Sequence, residues 1–194
     1  MKFLFTGIII LFCILLTFVM YKAIELKNIK YNQSELLANK KILTVYYSNG
    51  GNTKSVAQNI NSIVGGDIKE IELIENYPNN IFTMSKLIRE QMTEGYLPQI
   101  KDIDILNYDI IFVGSPIWNF SISLPVQAFL KNNNFRNKTL IPFFTYSGGA
   151  KKSKIVKEIE DLTNVKITEP PLFMFENGII FTKEQIIKWL NNRK

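Results

Sequence analysis

"KILTVYYSNGGNTKSVAQNI", Lys41 to Ile60, is the stretch whose reading decides the fold. After Lys41 its next six residues, Ile42 to Tyr47, are β-branched, aromatic or aliphatic, as in a strand buried on both faces. From Asn52 the apolar residues fall at Val56, Ile60 and Ile63, the spacing of one face of a helix. Between them, "SNGGNT" offers two glycines and small polar side chains, with no acid or base. A strand that enters a helix through such a turn leaves the first helical amides unpaired, with the positive end of the helix dipole behind them. Gly50 and Gly51 permit close approach of an anion, and Ser48, Asn52 and Thr53 add side-chain donors. An Asn-Gly turn with no ligand fits the same residues equally well.

The alternation continues outward from there. "DIKEIELI" reads as a second strand and Phe82 to Glu94 as a helix; "YDIIFVGSP" is a nearly continuous apolar strand stopped by Gly114 and Pro116. "LPVQAFLKNN" is a helix, "KTLIPFFTY" a strand and "KKSKIVKEIEDL" a helix. A weak strand is expected near "VKITE", then the irregular "PPLFMFENGII", then a closing helix "TKEQIIKWLNNR" with Thr182 and Gln185 placed for a capping box. This order predicts an α/β doubly wound, five-stranded parallel sheet with helices on both faces. Ligands of such sheets collect beyond the carboxyl ends of the strands, which directs attention to the turns after the first, third and fourth strands. The Walker and GxGxxG patterns are both missing, which disfavours nucleoside triphosphates and dinucleotides.

"YYSNGGNTKSVA" together with "YDIIFVGSPIWNFSISLPVQAFL" resembles the flavodoxin family over about residues 41 to 194. The first loop of that family reads Ser or Thr, any residue, Thr-Gly-Asn-Thr; the second often reads Gly-x-Pro-x-Trp before a Pro-led helix. The resemblance implies a flavodoxin-like fold that binds FMN. It implies a phosphate cradle at Ser48, Asn49, Gly50, Gly51, Asn52 and Thr53, and a ring site lined by Pro116, Ile117, Trp118 and Asn119. A third loop along the pyrimidine edge would comprise Thr145, Tyr146, Ser147, Gly148 and Gly149. Gly50 stands where the family usually has threonine, and Asn119-Phe120 where a glycine is frequent. Trp118 offers a flat aromatic surface for an isoalloxazine ring, with a core tryptophan as the alternative; Trp189, at helical spacing with Ile186, reads as core.

The chain has 194 residues, 46% apolar and 21% charged, an ordinary globular composition. "FLFTGIIILFCILLTFVM", Phe3 to Met20, carries no charge and is long enough to cross a bilayer, with Tyr21 and Lys22 as interfacial anchors. The reading is a membrane anchor over residues 1–22, a juxtamembrane tether over 23–40 and one domain over 41–194. A cleavable signal peptide would have a shorter apolar core and a small-residue cleavage site. Lys2 alone precedes the span while Lys22, Lys27, Lys30, Lys40 and Lys41 follow it, which predicts a single-pass protein with its domain in the cytoplasm. The formal charge of +6 does not point to nucleic acid, since residues 41–194 carry 18 Lys and Arg against 15 Asp and Glu. The lone cysteine, Cys13, lies in the span, and there is no histidine, which excludes histidine-based triads and most zinc sites.

The expected function is a membrane-tethered FMN protein passing electrons between redox protein partners. Two alternatives stand beside it: an FMN-dependent NAD(P)H quinone or nitro reductase, and a membrane-bound interaction domain that carries no flavin.

Overall fold

The computed structural model describes residues 10–21, 31–32, 35–175 and 182–192. Five strands form the parallel sheet: β1 (Ile42–Tyr46), β2 (Asp67–Glu70), β3 (Ile110–Trp118), β5 (Thr139–Tyr146) and β6 (Leu172–Phe175), in the order β2-β1-β3-β5-β6. The two-residue β4 (Ser121–Ile122) folds back antiparallel on the end of β3. The sheet therefore has six strands, not the expected five, because β3 runs on past its parallel partners and turns through a two-residue hairpin. Every residue of β1 is buried, as befits a strand covered on both faces.

The residues of β1 alternate between two cores. Leu43 and Val45 pack with Ile111, Val113 and Phe144 against α4 (Leu124–Asn132) and α5 (Lys152–Thr163). Ile42 and Tyr46 pack with Phe112, Ile141 and Phe143 against α2 (Asn52–Val64) and α6 (Thr182–Asn191). α3 (Ile81–Glu94) buries only Met84 and Ile88, which meet Leu124, Tyr77 and Trp118. Its start is fixed by the Asn80 side chain, which accepts from the amides of Phe82 at 3.0 Å and Thr83 at 3.2 Å. α2 and α4 lie on opposite faces, so the strand order reverses between β1 and β3, the switch point at whose crevice ligands of such sheets bind.

Two strand expectations are corrected. "VKITE" is not a strand: the amide of Val165 goes to Thr163 Oγ1 at 3.3 Å and that of Ile167 to Glu160 Oε1 at 2.9 Å, so neither is free for a ladder. The last strand is instead Leu172–Phe175, within the stretch read as irregular. Pro170 and Pro171 stop just short of it, where a missing N–H costs no ladder bond. The second strand also ends early, at Glu70, and the chain beyond it leaves the sheet to bridge Leu73 with Ile100.

Of the expected apolar span, residues 10–20 belong to a helix, α1, described over residues 10–21, and its side chains are exposed; residues 3–9 lie outside the described residues. Among the described residues no helix is long and apolar enough to cross a membrane. Part of the segment read as a tether packs on the domain. Leu37, in a 3-10 turn at Glu35–Leu37, is 2% exposed, and Tyr31 and Leu36 pack on the α2 and α6 core.

Candidate functional site

Register alone brings the ends of three strands together: Tyr46 of β1 pairs Gly114 of β3, which pairs Phe143 of β5, and Pro116 pairs Thr145. The turns after β1, β3 and β5 thus share one edge of the sheet. Thr53 Oγ1 and Thr145 Oγ1, both buried, lie 2.8 Å apart and tie the first turn to the third. Phe120 joins the second turn to the third, since its ring edge lies 3.5 Å from where a side chain on Gly149 would begin.

The first turn is built as a cradle. Gly51, at φ +85°, is the N-cap of α2 and supplies no side-chain cap. A left-handed backbone there turns the strand into the helix, which a β-carbon would strain. The first helical bond runs from Ser55 N to Gly51 O at 2.9 Å, so the amides of Asn52, Thr53 and Lys54 have no acceptor within the helix. Ser48 Oγ is buried with no hydrogen-bond partner. A buried hydroxyl without a partner costs about 1–3 kcal/mol, so its presence is explained if an acceptor joins it. Asn49, Gly50 and Gly51 are exposed and Asn52 is half-buried.

Beside this cradle Lys54 Nζ and Tyr46 Oη both donate to Glu70 Oε2, at 2.9 and 3.0 Å. Lys54 thereby offsets the charge of the carboxylate, which weakens its repulsion of an anion at the turn. A cavity of about 530 Å³ opens next to Ser48 and Asn49, walled by Glu70, Asn76, Tyr77 and Lys101. Neither Lys54, Glu70 nor Tyr77 stands out in the sequence: Lys54 and Glu70 meet only through the fold, and Tyr77 arrives on the non-periodic segment that follows β2.

Trp118 ends β3 instead of standing in a loop, because Ile117 and Trp118 pair with β4. Its ring meets Tyr47 edge-on at 5.6 Å and Tyr77 at 5.7 Å. Pro116, Ile117 and Trp118 are half-buried, and Asn119 is exposed with its Nδ2 3.7 Å from Met92 Sδ. In the third turn Thr145 is buried, while Ser147, Gly148 and Gly149 are exposed. Tyr146 leans toward β6, edge-on to Phe175 at 5.4 Å, and so faces away from the first turn. Trp189 is half-buried, edge-on to Phe112 at 6.1 Å, in agreement with its reading as core.

Burial pushes the Tyr46 phenol up to about 12, helped by its hydrogen bond to Glu70 and the charge there; burial and the same charge push Tyr47 to about 12. Raised phenol pKa values stabilise the fold fully below the unfolded value of 10.0, and that stabilisation is lost as pH climbs toward 12. The urea midpoint is expected to hold steady up to about pH 10 and then fall, with tyrosinate absorbance rising in step. Tyr46→Phe is expected to flatten part of that fall.

Asn119 and Phe120 both have positive φ, +46° and +62°, as the two-residue hairpin between β3 and β4 requires. Glycine is at ease there and an aromatic residue is not. The turn is held by its surroundings: Ser121 Oγ donates to Glu158, and Gln127 Nε2 donates to Ile122 O at 2.9 Å. Burial raises the Glu158 carboxyl pKa, while the bonds from Ser121 and Ile122 act to lower it. Phe120→Gly is expected to raise stability by about 1 kcal/mol, read as a higher urea midpoint at constant m-value.

A family model described as flavodoxin matches residues 41–193. Among solved structures the chain is similar to a Lactobacillus acidophilus flavoprotein in complex with FMN, at 26% identity and TM-score 0.58, over 77% of this chain and 98% of that one. It is similar also to a Bacteroides eggerthii protein described as a candidate flavoprotein, at 26% identity and TM-score 0.61, over 79% and 97% of the two chains. A flavodoxin from the domain Archaea, at 17% identity and TM-score 0.50, over 78% and 94% of the chains, shares the fold alone. No curated protein matches the sequence.

Proposed function

Because this chain belongs to the flavodoxin family across residues 41–193, we propose that it is an FMN-binding electron carrier, tethered to a membrane by Phe3 to Met20 and serving redox protein partners. The observation that carries the reading is the buried, partnerless Ser48 hydroxyl at the foot of an uncapped helix. That arrangement fits a phosphate, whose oxygens accept from hydroxyl and amide alike. Bound FMN supplies the electron chemistry, accepting and passing electrons singly or in pairs.

The chain's own residues have four tasks in this reading. Ser48 and the amides of Asn52, Thr53 and Lys54 hold the phosphate, and Glu70 keeps Lys54 and Tyr46 in place beside it. The Thr53–Thr145 hydrogen bond sets the spacing of the first and third turns. Tyr47, Tyr77 and Trp118 form an apolar wall that keeps water from one side of the crevice. The carrier reading asks for no acid or base in that crevice, since bound FMN would supply the electron chemistry. Phe120, exposed beside Gly149, narrows the room above the crevice that a nicotinamide donor would need.

The test is a titration of the full chain in detergent with FMN under visible absorbance. One equivalent is expected to bind with a shifted and structured flavin band, and anaerobic NADPH is expected to leave that band unbleached. A chain that stays colourless after incubation overturns the flavin reading, and rapid bleaching by NADPH overturns the carrier.

A further inference from the structure

The segment that leads into the domain is not a free leash. The amide of Asn32 donates to the side chain of Asn191, the last residue of α6, at 3.0 Å. Tyr31 and Leu36 pack on the core that holds Ile42, Trp189 and Leu190, and Leu37 is buried in it. The bond to Asn191, where α6 ends, sets this segment at one pole of the sheet. Ile42 is the first residue of β1, Val64 the last of α2, and Trp189 Nε1 donates at 2.8 Å to the carbonyl of Pro170, two residues before β6 begins. This is the amino end of the strands. The turns at Ser48, Trp118 and Thr145 lie at the carboxyl end, the opposite pole.

We propose that the anchor holds the domain with its three cofactor turns directed away from the bilayer, so that its electron partner is a water-soluble protein or carrier and not a lipid-dissolved quinone. The inference rests on the membrane-anchor reading and adds the orientation. Lengths decide it. From residue 21 to residue 31 the backbone reaches at most about 35 Å even when fully extended. A compact domain of some 150 residues has a radius of gyration of about 15 Å, hence a diameter near 40 Å. To press its carboxyl pole against lipid, residue 31 would have to stand a full diameter above the surface, beyond that reach. A domain lying on its side still leaves the turns about half a diameter from the headgroups.

The test uses the full FMN-loaded chain carrying Cys13→Ser and one added cysteine, Arg136→Cys at the amino pole or Lys151→Cys beside the third turn. Both native residues are exposed. Each protein is labelled with a fluorophore and reconstituted into phosphatidylcholine and phosphatidylglycerol vesicles containing nitroxide-headgroup lipid, with flotation run in parallel. Quenching at position 136 is expected to exceed that at 151 about threefold or more, given the separation of the poles. Equal quenching, or stronger quenching at 151, in protein that floats overturns the orientation while leaving the anchor in place. Protein that fails to float removes the anchor and the orientation together, whatever its flavin content.

Discussion

Ser48→Ala is expected to weaken FMN binding by roughly 10- to 150-fold while leaving the cofactor-free fold as stable as before, or slightly more so. The asymmetry follows from where the hydroxyl stands. Its Oγ is buried and has no partner in the protein, so its removal breaks nothing in the free domain and relieves a desolvation cost. Once a phosphate occupies the turn, that hydroxyl donates to a charged oxygen, a bond of about 1.5–3 kcal/mol, which gives the stated range of affinity. Two measurements check it: flavin fluorescence titration for the affinity, and urea unfolding of the cofactor-free protein for stability. A structural serine would behave in the opposite way, losing stability with no change in binding. Thr53→Val gives the contrast, because Thr53 is bonded to Thr145 across the turns and its loss should lower both quantities.

The sequence made the first and third turns legible because each joins a buried strand to an amphipathic helix through glycine and hydroxyl residues, a local pattern with a local cause. Register then did the rest, since parallel strands paired near their carboxyl ends bring such turns to one edge. What escaped the reading came from long range or from conflict between signals. Tyr77 reaches Trp118 from a segment with no period, and Lys54 meets Glu70 only because β2 lies beside β1 and α2. The true last strand was hidden by Pro170 and Pro171, which read as breakers although they end just before the pairing starts. Trp118 looked like a loop residue because Gly114 and Pro116 usually end a strand. Here Gly114 is needed inside the strand, and Pro116 lies where β1 has already stopped pairing with β3.

That glycine sets the second large expectation: Gly114→Ala should cost about 1–3 kcal/mol, and Gly114→Val more, by overpacking. A β-carbon at Gly114 would sit 2.9 Å from Tyr46 Cβ and inside the ring of Phe143, its register partner on β5. Phe143 is fully buried in the core shared with Ile186 and Leu190 of α6, so the ring has no open side to move into. For a domain of this size such a loss lowers the melting temperature by about 2–12 °C. Flavin affinity should fall with it, because Tyr47 N donates to Gly114 O at 3.1 Å just before the chain turns into Ser48, and parting β1 from β3 displaces the cradle. Phe143→Leu in the same chain vacates part of the ring volume, so the double variant should recover some stability, a positive coupling that two independent sites would not show. A melting temperature unchanged in Gly114→Ala would mean that the strand spreads without cost, and the rigid seam on which the site is built would have to be abandoned.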